Sequence, residues 1–130
     1  MAIDRTVIDA PGVPPAVGPY SHAVRTGNLL FCSMQIPLGP GSGEIAGETA
    51  AEQVTLCLQN LAAIADAGGA SLGDAVRLTV YLTDMDAFAE VNDAYAKFFD
   101  TDPPARAAIA VTSLPRGAQV AVDAVIALPA

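Results

Sequence analysis

Arg106 is the residue of this sequence whose type and setting most clearly suggest ligand chemistry. It lies in the run Pro103-Pro104-Ala105-Arg106-Ala107-Ala108-Ile109, where its neighbours are small and apolar and it has few charged partners nearby in the sequence. Burying a guanidinium without an anion or hydrogen-bond acceptors is costly, and its planar fork binds a carboxylate through two hydrogen bonds. The run therefore indicates a clamp for a substrate carboxylate or, alternatively, an ordinary ion pair at a surface or interface.

Three other polar side chains are candidates for a site. Tyr20 follows Gly18-Pro19, a pair that fixes a turn, so its hydroxyl could bond a ligand or its ring could pack on a neighbouring subunit. Asn92 lies on the apolar stripe of a predicted helix, where its amide must bond either a ligand or nearby backbone. His22 is the one histidine, and since no Ser-His-Asp arrangement is visible we interpret it first as a strand residue and only second as a general base.

Several other kinds of site are not supported by the spacing of residues. Carboxylates do not occur in pairs typical of acid–base catalysis, and no helix directly follows the Gly39, Gly41 and Gly43 string to cradle a phosphate. Cys32 and Cys57 form no CxxC motif and, with a single histidine, no metal-ligand set, so we expect no metal. Both cysteines are predicted to be buried and reduced.

Length and composition exclude some classes of protein. The 130 residues suit a single domain spanning 1–130, and 52% of them are hydrophobic. No stretch reaches the roughly 18 apolar residues of a membrane helix, and the first residues lack an apolar signal core, so we expect a cytoplasmic protein with no membrane partner. The net charge is −8, and the six basic residues are scattered, which disfavours a nucleic-acid partner.

Turn signals and hydrophobic periodicity divide the chain into eight elements in the order β-β-β-α-β-α-β-β. Gly27-Asn28 predicts a hairpin turn, and Thr49 with Glu52 predicts a capping box on the first helix, which Gly68-Gly69 ends. Two helices covering one face of a mixed sheet make an α+β fold. The predicted strands are 6–8, 22–26, 29–33, 74–83, 105–111 and 119–128, and the predicted helices are 49–67 and 86–99.

Residue periodicity also predicts which side chains face the core. In the strand 74–83, one row is Val76, Leu78, Val80 and Leu82, and the other is Arg77, Thr79 and Tyr81. Asp84 or Asp86 is expected to cap the second helix. The sheet face away from the helices is also rich in Val and Ala, so we expect self-association to bury it.

Short motifs along nearly the whole chain resemble those of one family, RidA/YjgF. They occur in the family's order and spacing, and their combination is more specific than any one of them. The matching motifs are Gly18-Pro19-Tyr20-Ser21-His22-Ala23-Val24, Ser33-Met34-Gln35-Ile36-Pro37, Ala67-Gly68-Gly69-Ala70, Thr79-Val80-Tyr81-Leu82-Thr83-Asp84, Val91-Asn92 and Pro104-Ala105-Arg106.

The resemblance implies a chorismate-mutase-like fold assembled as a homotrimer. The sheets of the three subunits would form a central barrel with the helices outside, and ligand sites would lie in clefts between subunits. Members of the family hydrolyse reactive 2-imino or enamine acids to 2-keto acids and ammonia and need no cofactor. By this resemblance Arg106 grips the substrate carboxylate, while Tyr20, Ser33 and Asn92 match other site residues of the family.

Three positions depart from the family pattern that the chain resembles. Met34 replaces a glycine and adds bulk beside the expected pocket, and Ala108 stands where cysteine is common. By the same resemblance, Ala121 stands in place of the glutamate that holds the attacking water in the family. Asp123 points to the same face roughly 6.6 Å further along the strand, so it is a candidate for positioning water. A glutamate at 121 would share a cleft with Arg106 if the last two strands pair.

Three functions are compatible with this sequence. The first is hydrolysis of small imino acids of the 2-iminopropanoate or 2-iminobutanoate type, with Arg106 holding the carboxylate. The second is a trimeric protein that binds keto or amino acids and has lost catalysis, which Ala121 favours. The third is the ribonuclease or translation-inhibitor activity of some relatives, which the acidic charge and the lack of a basic groove disfavour.

Overall fold

The computed structural model describes residues 2–129 as a six-stranded mixed sheet with two α-helices. The strands are β1 (Thr6–Ile8), β2 (Ala23–Thr26), β3 (Leu29–Gln35), β4 (Ala75–Leu82), β5 (Ala105–Ala110) and β6 (Val120–Ala127). The helices are α1 (Ala50–Ala67) and α2 (Phe88–Ala96). This order of elements confirms the predicted α+β fold.

The strands are arranged in the order β1-β2-β3-β6-β4-β5. β5 pairs with β4 in parallel, and every other pair is antiparallel. The last two strands do not pair, because β4 lies between β5 and β6, so the condition under which a glutamate at 121 would share a cleft with Arg106 is not met. The physical reason is the crossover through α2, which lays β5 parallel to β4 at the edge of the sheet.

Helix α1 begins and ends where its sequence predicts. The backbone N–H of Glu52 donates to Oγ1 of Thr49 at 3.1 Å, and the N–H of Thr49 donates to Oε1 of Glu52 at 3.1 Å, which completes the capping box. The helix ends at Gly68, which contacts the buried Leu30. A Cβ on Gly68 would lie 2.7 Å from a Leu30 methyl group, so a larger residue here would have to displace the buried Leu30 side chain.

Helix α2 is shorter than the predicted helix 86–99. A 3-10 turn, Met85–Ala87, precedes it, and the α-helix ends at Ala96 with Lys97 as its C-cap. Asp84 caps this 3-10 turn, because its Oδ1 accepts from the N–H of Asp86 at 2.9 Å, whereas the N-cap of α2 itself is Ala87, which makes no side-chain capping bond. The helix is nevertheless long enough to direct Phe88, Asn92 and Tyr95 toward the edge of the sheet that carries β5.

The main core lies between the sheet and the helices. Fully buried side chains from β4 and β6 meet those of α1, and the largest include Leu58, Leu61, Ile64, Leu78, Leu82, Val120, Val122 and Ile126. Val76, predicted to join this row, is 46% exposed. The cause is a shift in register against β6 between Ala75 and Arg77, which leaves Val76 as a bulge residue.

The other side of the sheet has no helix over it, and we call it the open face. Phe31 and Ile109 are each 45% exposed there, and Tyr81 and Asp123 lie on the same side according to the strand register. A second, smaller cluster covers one end of the open face, where Ile36, Leu38, Ala118 and Ala121 are buried. Among residues 2–129, no helix is both long and apolar enough to cross a membrane.

Candidate active site

The first pocket, which we call the serine pocket, is lined by residues from the segment before β2, from β3 and the residue that follows it, and from the segment before β6. Its volume is about 300 Å³. The lining residues are Val17, Tyr20, Ser33, Met34, Ile36 and Pro115. Three residues that the sequence singled out, Tyr20, Ser33 and Met34, are therefore brought together here.

A β-bulge in β3 directs two consecutive residues into the serine pocket. Cys32 pairs with Ala124 and Gln35 pairs with Val122, so Ser33 and Met34 stand opposite a single residue of β6. Bulges re-aim side chains that would otherwise alternate between the faces of a sheet. Ser33 and Met34 are consequently both half-buried and both line the pocket. The sequence prediction ended this strand at residue 33 and missed the bulge.

Three hydrogen bonds fix the polar groups of the serine pocket. The Ser33 hydroxyl donates to the carbonyl oxygen of Ser21 at 2.6 Å, and the backbone N–H of Ser33 donates to the carbonyl of His22 at 2.9 Å. The hydroxyl oxygen of Tyr20 accepts from the N–H of Val17 at 3.3 Å. The hydroxyl protons of Tyr20 and Ser33 are thus used differently.

His22 supports the pocket from behind and does not line it. The ring is buried, its Nδ1 accepts from the N–H of Ala10 at 2.9 Å, and its Nε2 lies 3.0 Å from the carbonyl oxygen of Pro14. Asp9 is 3.4 Å from Nδ1 and almost fully exposed. Because both ring nitrogens bond backbone groups, His22 holds the segment 10–14 in place and is not available as a general base.

The second pocket, which we call the arginine pocket, lies between the end of α2 and the start of β5. Its volume is about 370 Å³. The lining residues are Asn92, Tyr95, Ala96, Phe99, Pro103, Pro104 and Arg106. Arg106 pairs with the core residue Leu78 across β4 and β5, so its side chain leaves the sheet on the helix side.

Neutral groups hold the Arg106 guanidinium. Its Nη1 donates to Oδ1 of Asn92 at 2.7 Å, and Cζ lies 4.9 Å from the ring centroid of Tyr95 and 5.4 Å from that of Phe88. Among residues 2–129, no carboxylate oxygen lies within 4.0 Å of the guanidinium nitrogens. Within residues 2–129, the guanidinium therefore forms no ordinary ion pair.

Sequence reasoning missed the two rings that orient Arg106. Phe88, Asn92 and Tyr95 recur at positions i, i+4 and i+7 of one helix, which places them on one face. This stripe of two aromatic rings and an amide precedes a strand that carries a lone arginine. That combination is the sequence signal that could have identified the groups around Arg106. Burial raises the pKa of Tyr95 although the nearby charge of Arg106 opposes that shift, so the ring stays neutral beneath the cation.

Within one chain the two pockets are separate. No residue lines both, and the strands that carry Ser33 and Arg106 are separated by β6 and β4. With strands about 4.8 Å apart, β3 and β5 lie on the order of 14 Å from each other. The structure therefore brings Arg106 to Asn92 and Ser33 to Tyr20 and Met34, but it does not bring these two groups together.

Neither position 121 nor position 123 presents a free carboxylate to a pocket. Ala121 is completely buried in the cluster with Ile36, against which Met34 packs. Asp123 lines neither pocket, and its Oδ2 accepts the hydroxyl proton of Tyr81 at 2.7 Å. This hydrogen bond, followed by burial, raises the pKa of Tyr81, which keeps the tyrosine protonated and the carboxylate engaged.

Both cysteines are buried free thiols, as the sequence predicted. Burial, followed by the charge of Asp123, raises the pKa of Cys32 to about 12, and burial also raises that of Cys57. Thiols that stay protonated are poor nucleophiles, so neither is a candidate for covalent catalysis. In the part of the chain that the structure describes, no three His, Cys, Asp or Glu side chains form a group suited to a metal ion.

Comparison with known proteins finds relatives that match nearly the whole chain. The family model described as Endoribonuclease L-PSP matches residues 11–128. The RutC family protein y4sK of Sinorhizobium fredii is 51% identical, with 92% of this chain and 93% of that protein covered. The 2-iminobutanoate/2-iminopropanoate deaminase of Mus musculus is 39% identical, with 95% and 92% covered.

Solved structures agree with these sequence matches. The crystal structure of Escherichia coli TdcF with bound serine superposes with a TM-score of 0.90 at 35% identity, covering 95% of this chain and 99% of that one. Fold, sequence and the motifs around the two pockets therefore agree. The chain belongs to the RidA/YjgF family, whose family model carries the description endoribonuclease L-PSP.

Proposed function

We propose that this protein hydrolyses small 2-imino acids to 2-keto acids and ammonia. The observation that carries the proposal is the Arg106 guanidinium, which is held by a neutral amide and two aromatic rings and has no carboxylate partner within the described chain. An arginine fixed in this way is preorganised to bind a carboxylate through two hydrogen bonds. The name of the mouse relative, 2-iminobutanoate/2-iminopropanoate deaminase, supports the same reaction.

We further propose that the site is completed between two copies of the chain in a homotrimer. The arginine pocket lies next to β5, an edge strand, whereas the serine pocket lies at the far side of β6 and β4. A head-to-tail interface joins two different surfaces of neighbouring copies and closes into a ring. Such an interface can place the arginine pocket of one copy against the serine pocket of the next. The half-exposed Phe31 and Ile109 supply apolar surface for association.

In this arrangement different residues orient different parts of the substrate. Arg106 fixes the carboxylate and thereby C2 of the substrate, and Asn92 keeps the guanidinium in place. Water adds to C2 of the imine to give a carbinolamine, and collapse of that intermediate breaks the C–N bond, releasing ammonia and leaving the keto oxygen. Tyr20 can donate its hydroxyl proton in a hydrogen bond to that oxygen, because the hydroxyl oxygen accepts only from the N–H of Val17.

The remaining wall of the serine pocket suits an apolar substrate side chain. Val17, Met34, Ile36 and Pro115 form this wall, and none of the residues lining the pocket carries a charge. Burial of apolar carbon against such a wall is favourable, whereas a second carboxylate would be desolvated without a partner. We therefore propose 2-imino acids with short apolar side chains, such as 2-iminobutanoate, as substrates.

A binding protein without catalysis is the second candidate, and two observations favour it. Position 121 carries a buried methyl group, and the Asp123 carboxylate is bonded to Tyr81. Neither pocket is lined by a carboxylate that could activate water. The E. coli relative crystallised with serine supports a small amino acid as a ligand for such a site.

The direct test measures decay of an imine generated in the reaction mixture. 2-Iminobutanoate is produced from 2-aminobutanoate by an amino acid oxidase, and semicarbazide traps what remains as a semicarbazone. We expect catalytic amounts of the protein to reduce semicarbazone formation, because hydrolysis removes the imine first. The Arg25→Ala variant should behave in the same way, since Arg25 lines neither pocket. Unchanged trapping, with binding of 2-aminobutanoate intact, would favour the binding protein.

A further inference from the structure

The Ser33 hydroxyl has its only proton engaged before any ligand arrives. Its Oγ lies 2.6 Å from the carbonyl oxygen of Ser21. A carbonyl oxygen cannot donate, so the proton of this short hydrogen bond belongs to Ser33. A hydroxyl has one proton and two acceptor lone pairs. The Ser33 oxygen therefore offers the serine pocket acceptor capacity alone.

The surrounding backbone keeps the Ser33 hydroxyl in this orientation. Ser33 lies in the β3 bulge, and its N–H is bonded to the carbonyl of His22. The segment that carries the Ser21 carbonyl is thus tied to β3 by two hydrogen bonds, one from backbone and one from side chain. Turning the hydroxyl toward a ligand would leave the part-buried Ser21 carbonyl without this donor, which is unfavourable.

Tyr20 has the opposite preference. Its oxygen accepts from the N–H of Val17 at 3.3 Å, and its own proton has no acceptor among residues 2–129. The serine pocket therefore presents one donor, from Tyr20, and one acceptor, from Ser33. A ligand that fits both must carry a hydrogen-bond donor on one side and an acceptor on the other.

We infer that Ser33 is a specificity-determining residue that selects ligands with N–H groups on C2 and discriminates against the keto product. The inference rests on the proposed function only in placing C2 of the ligand in the serine pocket. An imine, iminium or ammonium nitrogen donates to the Ser33 oxygen. The keto oxygen of the product has no proton to donate, so it cannot form a hydrogen bond with the Ser33 oxygen, which is also an acceptor. Its one partner in the serine pocket is the Tyr20 hydroxyl. Substrate is thus held more tightly than product, which favours product release.

The test compares two stable ligands that differ at C2. Calorimetry on the full protein measures the affinities of 2-aminobutanoate and 2-oxobutanoate for the natural chain and for three variants. Ser33→Ala should weaken 2-aminobutanoate by about tenfold or more, the effect of losing a hydrogen bond to a charged group, and should change 2-oxobutanoate by less than twofold. Ser33→Thr keeps a hydroxyl in a β-strand and should restore the natural affinity. Tyr20→Phe should weaken 2-oxobutanoate more than 2-aminobutanoate.

The outcomes separate this inference from the proposed reaction. A purely structural role of Ser33 predicts that Ser33→Ala weakens both ligands equally, and that result, or no change in either affinity, would overturn the inference. If the natural protein hydrolyses 2-iminobutanoate but shows no such difference, the reaction stands without this role of Ser33. If the difference is present and hydrolysis is absent, Ser33 selects the ligands of a binding protein.

Discussion

Replacing Arg106 with alanine is expected to weaken binding of 2-oxobutanoate by about tenfold to a hundredfold. The variant removes a charge-assisted pair with the ligand carboxylate, worth roughly 1.5–3 kcal/mol. The fold should survive, because the residue is exposed on an edge strand and outside the buried core. Calorimetry gives the affinity, and the semicarbazide assay should show a parallel loss of imine hydrolysis.

Two matched variants make the Arg106 result specific. Arg25→Ala removes the same charge from another exposed strand position that lines neither pocket, so it should leave the affinity unchanged. Arg106→Lys keeps the charge but lacks the planar fork, so it should recover only part of the affinity. Unaltered binding in a folded Arg106→Ala variant would remove this arginine from the site.

Restoring a glutamate at position 121 should raise the hydrolysis rate only when Met34 is removed as well. Ala121 has no exposed surface, and Met34 and Ile36 contact its cluster while also lining the serine pocket. Ala121→Glu alone overfills this cluster, which typically costs about 1–3 kcal/mol, and buries a carboxylate without a partner. Met34→Gly opens a path from position 121 to the pocket. The double variant should then gain roughly 10²-fold in rate, the usual contribution of a positioned general base.

Control variants distinguish the effect of the glutamate carboxylate from the effect of the altered side-chain sizes. Met34→Gly alone should leave the rate near that of the natural chain, and Met34→Gly with Ala121→Gln provides the same shape without a base. We expect the gain in the glutamate variant only, measured by semicarbazide trapping, and a lower melting temperature for Ala121→Glu alone. A stable, faster Ala121→Glu single variant would contradict the proposed crowding by Met34. If the natural protein hydrolyses the imine as fast as relatives that have the glutamate, a general base at position 121 is dispensable.

Local sequence patterns predicted the elements of this fold because the causes of those elements are local. The capping box at Thr49, the glycines after α1 and the alternation in β4 each act within a few residues. Strand pairing is a long-range property, so the insertion of β6 between β3 and β4 was not predicted. The exposure of Val76 was missed for the same reason, since it depends on register against β6.

The types of the site residues were predictable, but their grouping was not. Arg106 and Tyr20 could be singled out by their neighbours and by the resemblance to a family. The division into two pockets depends on which strands separate β3 from β5, and the placement of Ser33 beside Met34 depends on a bulge. The hydrogen bond that the Tyr81 hydroxyl donates to Asp123 joins residues 42 positions apart along the chain, so no local pattern indicates it.

Mixing two inactive variants tests most directly whether one site is built from two copies. One variant carries Arg106→Ala, which disables the arginine pocket, and the other carries Tyr20→Phe with Ser33→Ala, which disables the serine pocket. Refolding them together in equal amounts gives random assembly, so about a quarter of the interfaces in a head-to-tail ring join two intact pockets. We predict that imine hydrolysis returns to about a quarter of the natural rate. The shared site would be contradicted if oligomers shown to contain both variants were no more active than the average of the two variants measured separately.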